Sequence, residues 1–146
     1  MIDPDVREAS TDDASQLALL EAESRAFLAG QRGGARWLET HPERGSAWPD
    51  AIAAAHVLVA HIGEVVVGYL VLTIDDAISR VDDVYVTPQA RELGFGDAML
   101  ASATERARSA GCSLIEGYAL PGDRDTKNLY ERAAIKARLI TVSAEL

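Results

Sequence analysis

The stretch that decides the fold reads Val84-Tyr85-Val86-Thr87-Pro88-Gln89-Ala90-Arg91-Glu92-Leu93-Gly94-Phe95-Gly96-Asp97. Its first residues are rich in β-branched side chains and predict the end of a strand, whereas its two glycines open a predicted helix. Glycine lets backbone amides approach a ligand closely, and a helix N-terminus adds unpaired donors and a partial positive charge. The segment therefore predicts an anion site suited to a pyrophosphate.

Two other phosphate-binding motifs do not fit this loop. No Gly-Lys-Ser/Thr follows the glycines, so the loop is not a P-loop, and a dinucleotide fingerprint would need glycine at Met99. A Gly-x-Gly pattern by itself is a weak signal. A strand-to-helix turn that binds no ligand is the alternative that the loop leaves open.

Upstream of the loop, the hydrophobic period changes from helical to strand-like. The predicted strands are at 5–9, 56–61, 65–74 and 78–87. The predicted helices run to about residue 28 and over 35–40, and a further helical turn covers 50–55. Gly63-Glu64 joins the second and third of these strands as a hairpin. The long Val and Leu runs in these strands indicate a sheet that is covered on both faces.

Downstream of the loop, the elements alternate. The sequence predicts a helix over 94–110, a strand over 113–119, a helix over 125–134 and a last strand over 135–144. The complete order is β-α-α-β-β-β-α-β-α-β. This order predicts one mixed-sheet α/β domain over residues 1–146, with antiparallel strands first and a β-α-β unit after them.

Composition narrows the class of protein. The chain carries 14 basic and 23 acidic residues for a net charge of −9, which argues against a nucleic-acid partner. Cys112 is the only cysteine, and the three histidines have no metal-binding spacing, so we expect no disulfide and no metal. No apolar run reaches the roughly 20 residues of a membrane span, and the acidic start is unlike a signal peptide. We expect a cytoplasmic protein that does not bind membranes.

Two motifs and the element order carry a family resemblance. Arg91-Glu92-Leu93-Gly94-Phe95-Gly96 resembles motif A of the GCN5-related N-acetyltransferase (GNAT) superfamily, Gln/Arg-x-x-Gly-x-Gly/Ala. Leu129-Tyr130-Glu131-Arg132 is similar to the Leu-Tyr-Glu-Arg of the family's last conserved helix. The resemblance covers most of the chain, from Val6 to about Leu139. It implies the GNAT acyl-CoA N-acyltransferase fold, with a splayed central strand pair and acetyl-CoA as cosubstrate.

The resemblance also implies which residues bind coenzyme A. The strand before the loop would pair its backbone with the pantetheine arm, and the loop amides would hold the pyrophosphate. The side chain of Arg91 would add a charge contact, and Asp123 stands where the family often has a cofactor-binding Asn. The implied cofactor-binding residues are Val84, Tyr85, Val86, Arg91, Glu92, Leu93, Gly94, Phe95, Gly96, Asp97 and Asp123.

The implied reaction is direct attack of an amine on the thioester, which needs an acid, a base and an oxyanion donor. Tyr130 occupies the place of the family's general acid, and a backbone amide near Val84 is the expected oxyanion donor. For the base we favour Asp82 over Asp83, because strand alternation sends the two carboxylates to opposite faces and Asp82 shares a face with Val84. Glu116 and Tyr118 are further candidates.

The acceptor side is less specific. The family places the acceptor, a small-molecule or protein amine, near residues 27–48, where Trp37 and Trp48 either line a pocket or pack in the core. Glu21, Glu23 and Glu39 either attract a cation or form a solvated face. Ala134-Ile135 replaces the family's Gly-Phe, so the turn after the last helix must form without glycine. A homodimer through the C-terminal strands and a non-catalytic acyl-CoA-binding module are the remaining alternatives.

Overall fold

The computed structural model describes residues 4–146 and shows five strands and five helices over that range. In chain order they are β1 (Asp5–Glu8), α1 (Ala14–Ala29), α2 (Gly34–Thr40), α3 (Trp48–Ala54), β2 (His56–Ile62), β3 (Val65–Asp75), β4 (Ile78–Val86), α4 (Phe95–Ser109), β5 (Leu114–Gly117) and α5 (Arg124–Arg132). The predicted order is confirmed as far as α5, except that three helices, and not two, stand between β1 and β2.

The five strands form one mixed sheet in the order β1-β2-β3-β4-β5. The first four strands pair antiparallel, and β4 pairs with β5 in parallel. Helix α4 provides the crossover between those two parallel strands, as a β-α-β unit requires. The predicted fold class is therefore confirmed.

Each face of the sheet packs against helices. On one face, Leu70 and Leu72 of β3 meet Phe95 and Met99 of α4 in the larger core. On the other face, Tyr69 and Val71 alternate with them and join Leu17 of α1 and Trp48 of α3. Strand β3 is buried from Val66 to Leu72 because helices cover both of its sides.

A β-bulge interrupts the pairing of β3 with β4. Val71 pairs with Asp83 and Leu72 pairs with Val81, so Asp82 is the additional residue on β4. A bulge shifts the alternation of side chains along the strand that carries it. Consequently Val81 and Val84 both contact the core on the α4 side, although three positions separate them.

Strands β4 and β5 separate shortly after they meet. Their ladder runs from the pair Ile78 and Leu114 to the pair Val81 and Gly117, and β4 continues to Val86 without β5 beside it. Strand β5 is therefore shorter than the predicted 113–119. We call the opening between Asp82–Val86 of β4 and the end of β5 the cleft.

The predicted last strand over 135–144 is wrong. Residues 135–146 lie in the described part of the chain and form no strand there. Leu139, Ile140 and Val142 are exposed, so their alternating pattern packs against no sheet among residues 4–146. A strand needs a partner to satisfy its backbone groups, and sequence alternation does not show whether one is available.

Candidate coenzyme A and acceptor site

The loop between β4 and α4 presents a row of free donors. The six backbone amides of Glu92–Asp97 have no hydrogen-bond acceptor within residues 4–146, and the first helical bond runs from the Ala98 amide to the Gly94 carbonyl. Glu92 and Gly94 have positive φ angles of 66° and 87°. Such a run of amides at the start of a long helix forms a concave anion site, which fits a pyrophosphate.

The two glycines of the loop have different structural roles. Gly94 caps α4 in the left-handed conformation, which glycine adopts without steric cost. Gly96 lies where α4 approaches α5, and a Cβ added there would be 3.4 Å from Leu129. One glycine therefore shapes the loop, whereas the other lets α5 pack closely beside the donor row.

The cleft leaves one edge of β4 open next to that loop. Beyond Val81, the amides and carbonyls of β4 that point toward β5 have no ladder partner. Val84 and Val86 direct their side chains to the α4 core, so only their backbones can face the cleft. The side chain of Tyr85 points to the opposite face, where its hydroxyl donates to Glu23 at 2.7 Å.

Arg91 occupies the wall of the cleft. Its Nε donates to the Val86 carbonyl at 3.0 Å, and its Nη1 donates to Asp125 at 3.0 Å. The guanidinium also lies over the rings of Tyr85 and Phe27, 5.6 and 5.9 Å from their centroids. It therefore joins the end of β4 to the start of α5, and its predicted contact with the cofactor stays a prediction.

The Tyr130 hydroxyl lies where β4 and β5 begin to separate. Tyr130 is 7% exposed, and a Cβ added to Gly117 would be 2.3 Å from its hydroxyl oxygen. Burial raises the pKa of Tyr130 above its ordinary value, and the backbone amide of Tyr118 offsets part of that rise. The phenol therefore keeps its proton at neutral pH and can act as a donor at the head of the cleft.

The structure corrects the expectation that Asp82 and Asp83 face opposite sides. Both line one cavity on the α1 side of the sheet, because the bulge at Asp82 shifts the alternation. Asp83 accepts hydrogen bonds from Tyr69 and from Arg44 at 2.9 Å each. Burial raises the pKa of Asp83, and those two donors offset part of the rise. Asp82 has no hydrogen-bond partner among the described residues.

A buried carboxylate anchors the far wall of this cavity. Glu21 is 2% exposed and accepts from Arg44 Nη1 at 3.0 Å and from the Trp48 ring at 3.2 Å. The backbone amides of Arg44 and Gly45 also donate to it. The sequence suggested that Glu21 either attracts a cation or belongs to a solvated face. Its carboxylate instead holds the segment after α2 against α1. Sequence reasoning missed Arg44, whose partner lies 23 positions upstream.

The cavity measures about 430 Å³ and lies between α1, α2 and the β4–β5 opening. Trp37 lines it and stacks on His41, with 3.5 Å between the ring centroids. The ring centroid of Tyr118 is 5.1 Å from that of Trp37. Trp48 is fully buried in the core. Trp37 therefore lines a pocket, whereas Trp48 packs in the core. We call this space the acceptor cavity.

Asp123 caps helix α5. Its carboxylate accepts from the Thr126 amide at 3.2 Å and from the Thr126 hydroxyl at 2.7 Å. Both oxygens therefore have a structural partner, which accounts for a buried carboxylate at this position. Its predicted contact with the cofactor remains a prediction.

The turn after α5 forms without glycine, as expected. Ala134 adopts φ 61°, its amide donates to Glu131, and the Ile135 amide donates to Tyr130. This pair of bonds is a Schellman motif, which glycine usually closes. Ile135 then packs against the α4 core.

The described residues contain neither a membrane-spanning helix nor a metal cluster. Within residues 4–146, no helix is both long and apolar enough to cross a membrane. Over the same range, no three or more His, Cys, Asp or Glu side chains are grouped as a metal site would require.

The fold and the donor-rich loop beside a splayed parallel pair define an α/β domain with an anion site at the start of a long helix. A sequence model described as the acetyltransferase (GNAT) family matches residues 17–134, and the chain belongs to that family. Among curated protein sequences, none matches this chain.

Solved structures share the fold over nearly the whole chain. Ribosomal-protein-alanine N-acetyltransferase from Brucella melitensis biovar Abortus 2308 is 19% identical with a TM-score of 0.73, over 99% of this chain and 100% of that one. PaiA N-acetyltransferase from Thermoplasma acidophilum, in complex with coenzyme A, is 18% identical with a TM-score of 0.71, over 90% and 89%. Aminoglycoside N-acetyltransferase AAC(6')-Iy, in complex with CoA, is 12% identical with a TM-score of 0.71, over 99% and 95%.

Proposed function

We propose that this chain is an N-acetyltransferase that transfers the acetyl group of acetyl-CoA directly to a primary amine. The observation that carries the proposal is the Tyr130 hydroxyl, which lies buried and protonated where β4 and β5 separate. A binding module would need only the donor row of Glu92–Asp97. A phenol held at the head of the cleft is what a reaction with a thiolate leaving group requires.

The binding half of the proposal assigns each part of coenzyme A to a part of the chain. The free amides of Glu92–Asp97 bind the pyrophosphate, and the open backbone edge of Val84–Val86 pairs with the pantetheine arm. Acetyl-CoA supplies an activated acetyl group when it is bound. Arg91 and Asp123 lie beside these elements and complete the predicted cofactor site.

The catalytic half assigns one role to each of three groups. Asp82 accepts a proton from the incoming ammonium, directly or through water, since it lines the acceptor cavity and has no partner among the described residues. The amide of Val84 donates to the thioester oxygen from the unpaired edge of β4. Tyr130 donates its proton to the departing sulfur. Asp83 is the second candidate for the base, but Arg44 and Tyr69 already hold it.

The fold relatives support an amine acceptor. Their names include a ribosomal-protein-alanine N-acetyltransferase and an aminoglycoside N-acetyltransferase. Self-association belongs to the same proposal, because Leu139, Ile140 and Val142 are exposed in the unpaired segment after α5. Light scattering of the full chain and of a chain that ends at residue 134 tests this point. Equal masses per chain in both would contradict it.

A non-catalytic acyl-CoA-binding module is the alternative, and the observation in its favour is that Asp83, the second candidate for the base, is already held by Arg44 and Tyr69. Release of free thiol from acetyl-CoA, measured with a panel of amines, separates the two functions. Amine-dependent release with an acetylated product in the mass spectrum supports the enzyme. Tight binding of acetyl-CoA without release for any amine supports the module. Failure to bind acetyl-CoA contradicts both.

A further inference from the structure

The acceptor cavity is not an acidic pocket, although the chain carries a net charge of −9. Three carboxylates and three guanidiniums line it: Glu21, Asp82, Asp83, Arg25, Arg44 and Arg80. A site for a polycation would place acidic groups there without basic ones, because each cation in a partly desolvated space repels another. The equal numbers of the two signs point to an acceptor that itself carries both.

The three guanidiniums are not equally neutralised. Arg44 lies between Glu21 and Asp83, with 3.0 Å and 2.9 Å between the paired atoms, so its charge is fully matched. Among residues 4–146, Arg25 donates only to the backbone carbonyls of His41 and Leu38. A cation with carbonyl partners alone keeps its net charge, and it can still attract an anion.

Arg80 lies on β4, two positions before the proposed base, and lines the same cavity. Its Nη2 donates to Glu116 at 2.9 Å, while its enclosed Nε has no hydrogen-bond partner among the described residues. Glu116, Tyr118 and Asp82 raise the pKa of Arg80, so Asp82 is within electrostatic reach of it. Arg80 and Asp82 line the same cavity, so their side chains can converge on one small zwitterion.

Aromatic and aliphatic side chains form another part of the cavity wall. Trp37 stacks on His41 and meets the ring of Tyr118, and Leu28 and Leu38 lie beside them. Flat aromatic surfaces favour contact with an apolar or aromatic body. The cavity therefore offers a carboxylate, a guanidinium and an apolar wall within one space of about 430 Å³.

We propose that the acceptor is an α-amino acid, or a molecule with the same head group, that carries an apolar or aromatic side chain. Its ammonium lies at Asp82, its carboxylate at Arg80 with Arg25 behind it, and its side chain against the Trp37 wall. This inference rests on the proposed acetyl transfer. Arg80 is then a residue that determines specificity, and it takes no part in the proton transfers.

The reaction balances with this acceptor. A bond forms between the amine nitrogen and the acetyl carbon, and the bond between that carbon and sulfur breaks. The ammonium loses two protons on its way to the amide: one is balanced by the proton on the released thiol, and the other passes to solvent. No oxidant, reductant or metal is needed.

Four amines of matched design test the inference. L-Phenylalanine has the full head group, 2-phenylethylamine lacks only the carboxylate, and spermidine and kanamycin are polycations. We expect kcat/KM for phenylalanine to exceed that for phenylethylamine at least about tenfold, because a charge-assisted hydrogen bond is lost with the carboxylate. We expect lower values still for the two polycations. Equal or better use of phenylethylamine, or preference for a polycation, would overturn the inference while leaving acetyl transfer in place.

Two variants locate the effect. Arg80→Gln should reduce the preference for phenylalanine over phenylethylamine to about twofold or less, since the guanidinium is gone. Glu116→Gln breaks the same ion pair but keeps the guanidinium, so it should retain the preference. Loss of the preference in both variants would refute recognition by Arg80 and assign the effect to the ion pair.

A binding measurement separates failure of this inference from failure of the proposed function. Calorimetry with phenylalanine in the presence of coenzyme A reports recognition without chemistry. Binding that Arg80→Gln weakens, in a protein that releases no thiol, would support the recognition and contradict the proposed catalysis. Absence of both binding and turnover with phenylalanine would overturn the inference, whatever other amine is acetylated.

Discussion

The donor row of Glu92–Asp97 and the acceptor cavity are built in opposite ways. The donor row consists of backbone amides that have no acceptor among the described residues, and it is contiguous in sequence. The acceptor cavity consists largely of side chains from α1, α2, β4 and the end of β5, and three of its six charged groups, Glu21, Arg44 and Asp83, already hydrogen-bond to one another. Generic recognition of a phosphate needs only backbone, whereas recognition of a particular amine needs side chains that distant segments bring together.

Because of this difference, we expect substitutions in the acceptor cavity to lower the stability of the fold and substitutions in the donor row to lower ligand affinity. Removal of a group from the acceptor cavity leaves its buried partners unsatisfied, so the folded state should suffer. A change in the donor row leaves no partner unsatisfied, so ligand affinity should change while the fold persists. The predictions below test this division, beginning with the largest effect.

The largest effect should follow from Glu21→Gln. This variant leaves Arg44 without one of its two carboxylates and turns an amide group toward the donors that now surround Glu21. Removal of one partner from a buried charge pair costs about 3–5 kcal/mol of unfolding free energy, and we expect a loss of about that size. Chemical denaturation monitored by circular dichroism measures it.

Glu23→Gln is the matched control for that experiment. Glu23 lies on the same helix and accepts hydrogen bonds from Tyr85 and Thr87, but it is exposed to solvent. We expect a change of about 1 kcal/mol or less. Equal losses in the two variants would show that Glu21 is not an anchor of the cavity.

Tyr130→Phe should lower turnover more than any other change in the cleft. Loss of a general acid reduces rates by about 10²-fold to 10⁴-fold, whereas affinity for coenzyme A should change by no more than about twofold. The removed hydroxyl faces Gly117 and contributes nothing to the donor row. Steady-state thiol release gives kcat, and calorimetry gives the dissociation constant.

Tyr118→Phe provides the comparison for that variant. Tyr118 also lines the acceptor cavity, but it is 46% exposed and its ring stands against Trp37. We expect an effect on kcat of less than about tenfold, because no proton transfer is assigned to this hydroxyl. An unchanged kcat in Tyr130→Phe would exclude it as the acid.

Gly96→Glu tests the donor row itself. A carboxylate in the first turn of α4 adds a negative charge close to the predicted pyrophosphate, and the added Cβ also meets Leu129 at 3.4 Å. We expect affinity for coenzyme A to fall by at least about tenfold. Gly96→Gln has the same size without the charge and should lose less. Acidic groups near a helix N-terminus favour the helix, so thermal stability should not fall more in the Glu variant than in the Gln variant. Equal affinities for the two variants would place the pyrophosphate elsewhere.

The donor row could be predicted from the sequence better than the acceptor cavity, because the first is local in sequence and the second joins distant segments. The donor row depends on a local glycine spacing between a strand and a helix, and the structure places its free amides at the predicted residues. The relative orientation of Asp82 and Asp83 depends on a bulge in the pairing with β3, which no pattern in β4 reveals. Likewise, Glu21 and Arg44 meet only because α1 and the segment after α2 fold together.

The C-terminal end shows the corresponding limit for secondary structure. Residues 135–144 alternate like a strand, yet they pair with nothing among residues 4–146. Strand β5 ends at Gly117 because it separates from β4 there. The predicted strand ran on to residue 119, because the residues after Gly117 are also apolar. In both cases, the sequence reports the propensity of a segment but not the availability of its partner.

The smallest effect should come from Ala134→Gly, a substitution just after the end of α5. Helix α5 carries Tyr130, and its Leu129 lies next to Gly96 of the donor row. Ala134 closes the Schellman motif with φ 61°, a conformation that costs an L-residue about 1–2 kcal/mol and glycine almost nothing. The greater freedom of glycine in the unfolded chain opposes part of this gain, so we expect a net stabilisation of about 0.5–1 kcal/mol, or a few degrees in Tm. Ala133→Gly, one residue earlier at φ −90°, gains nothing from the substitution and should be neutral or destabilised. Because neither variant alters the donor row or the acceptor cavity, coenzyme A affinity and amine preference should stay at the wild-type values in both. A change in either would mean that the end of α5 couples the two regions through Tyr130.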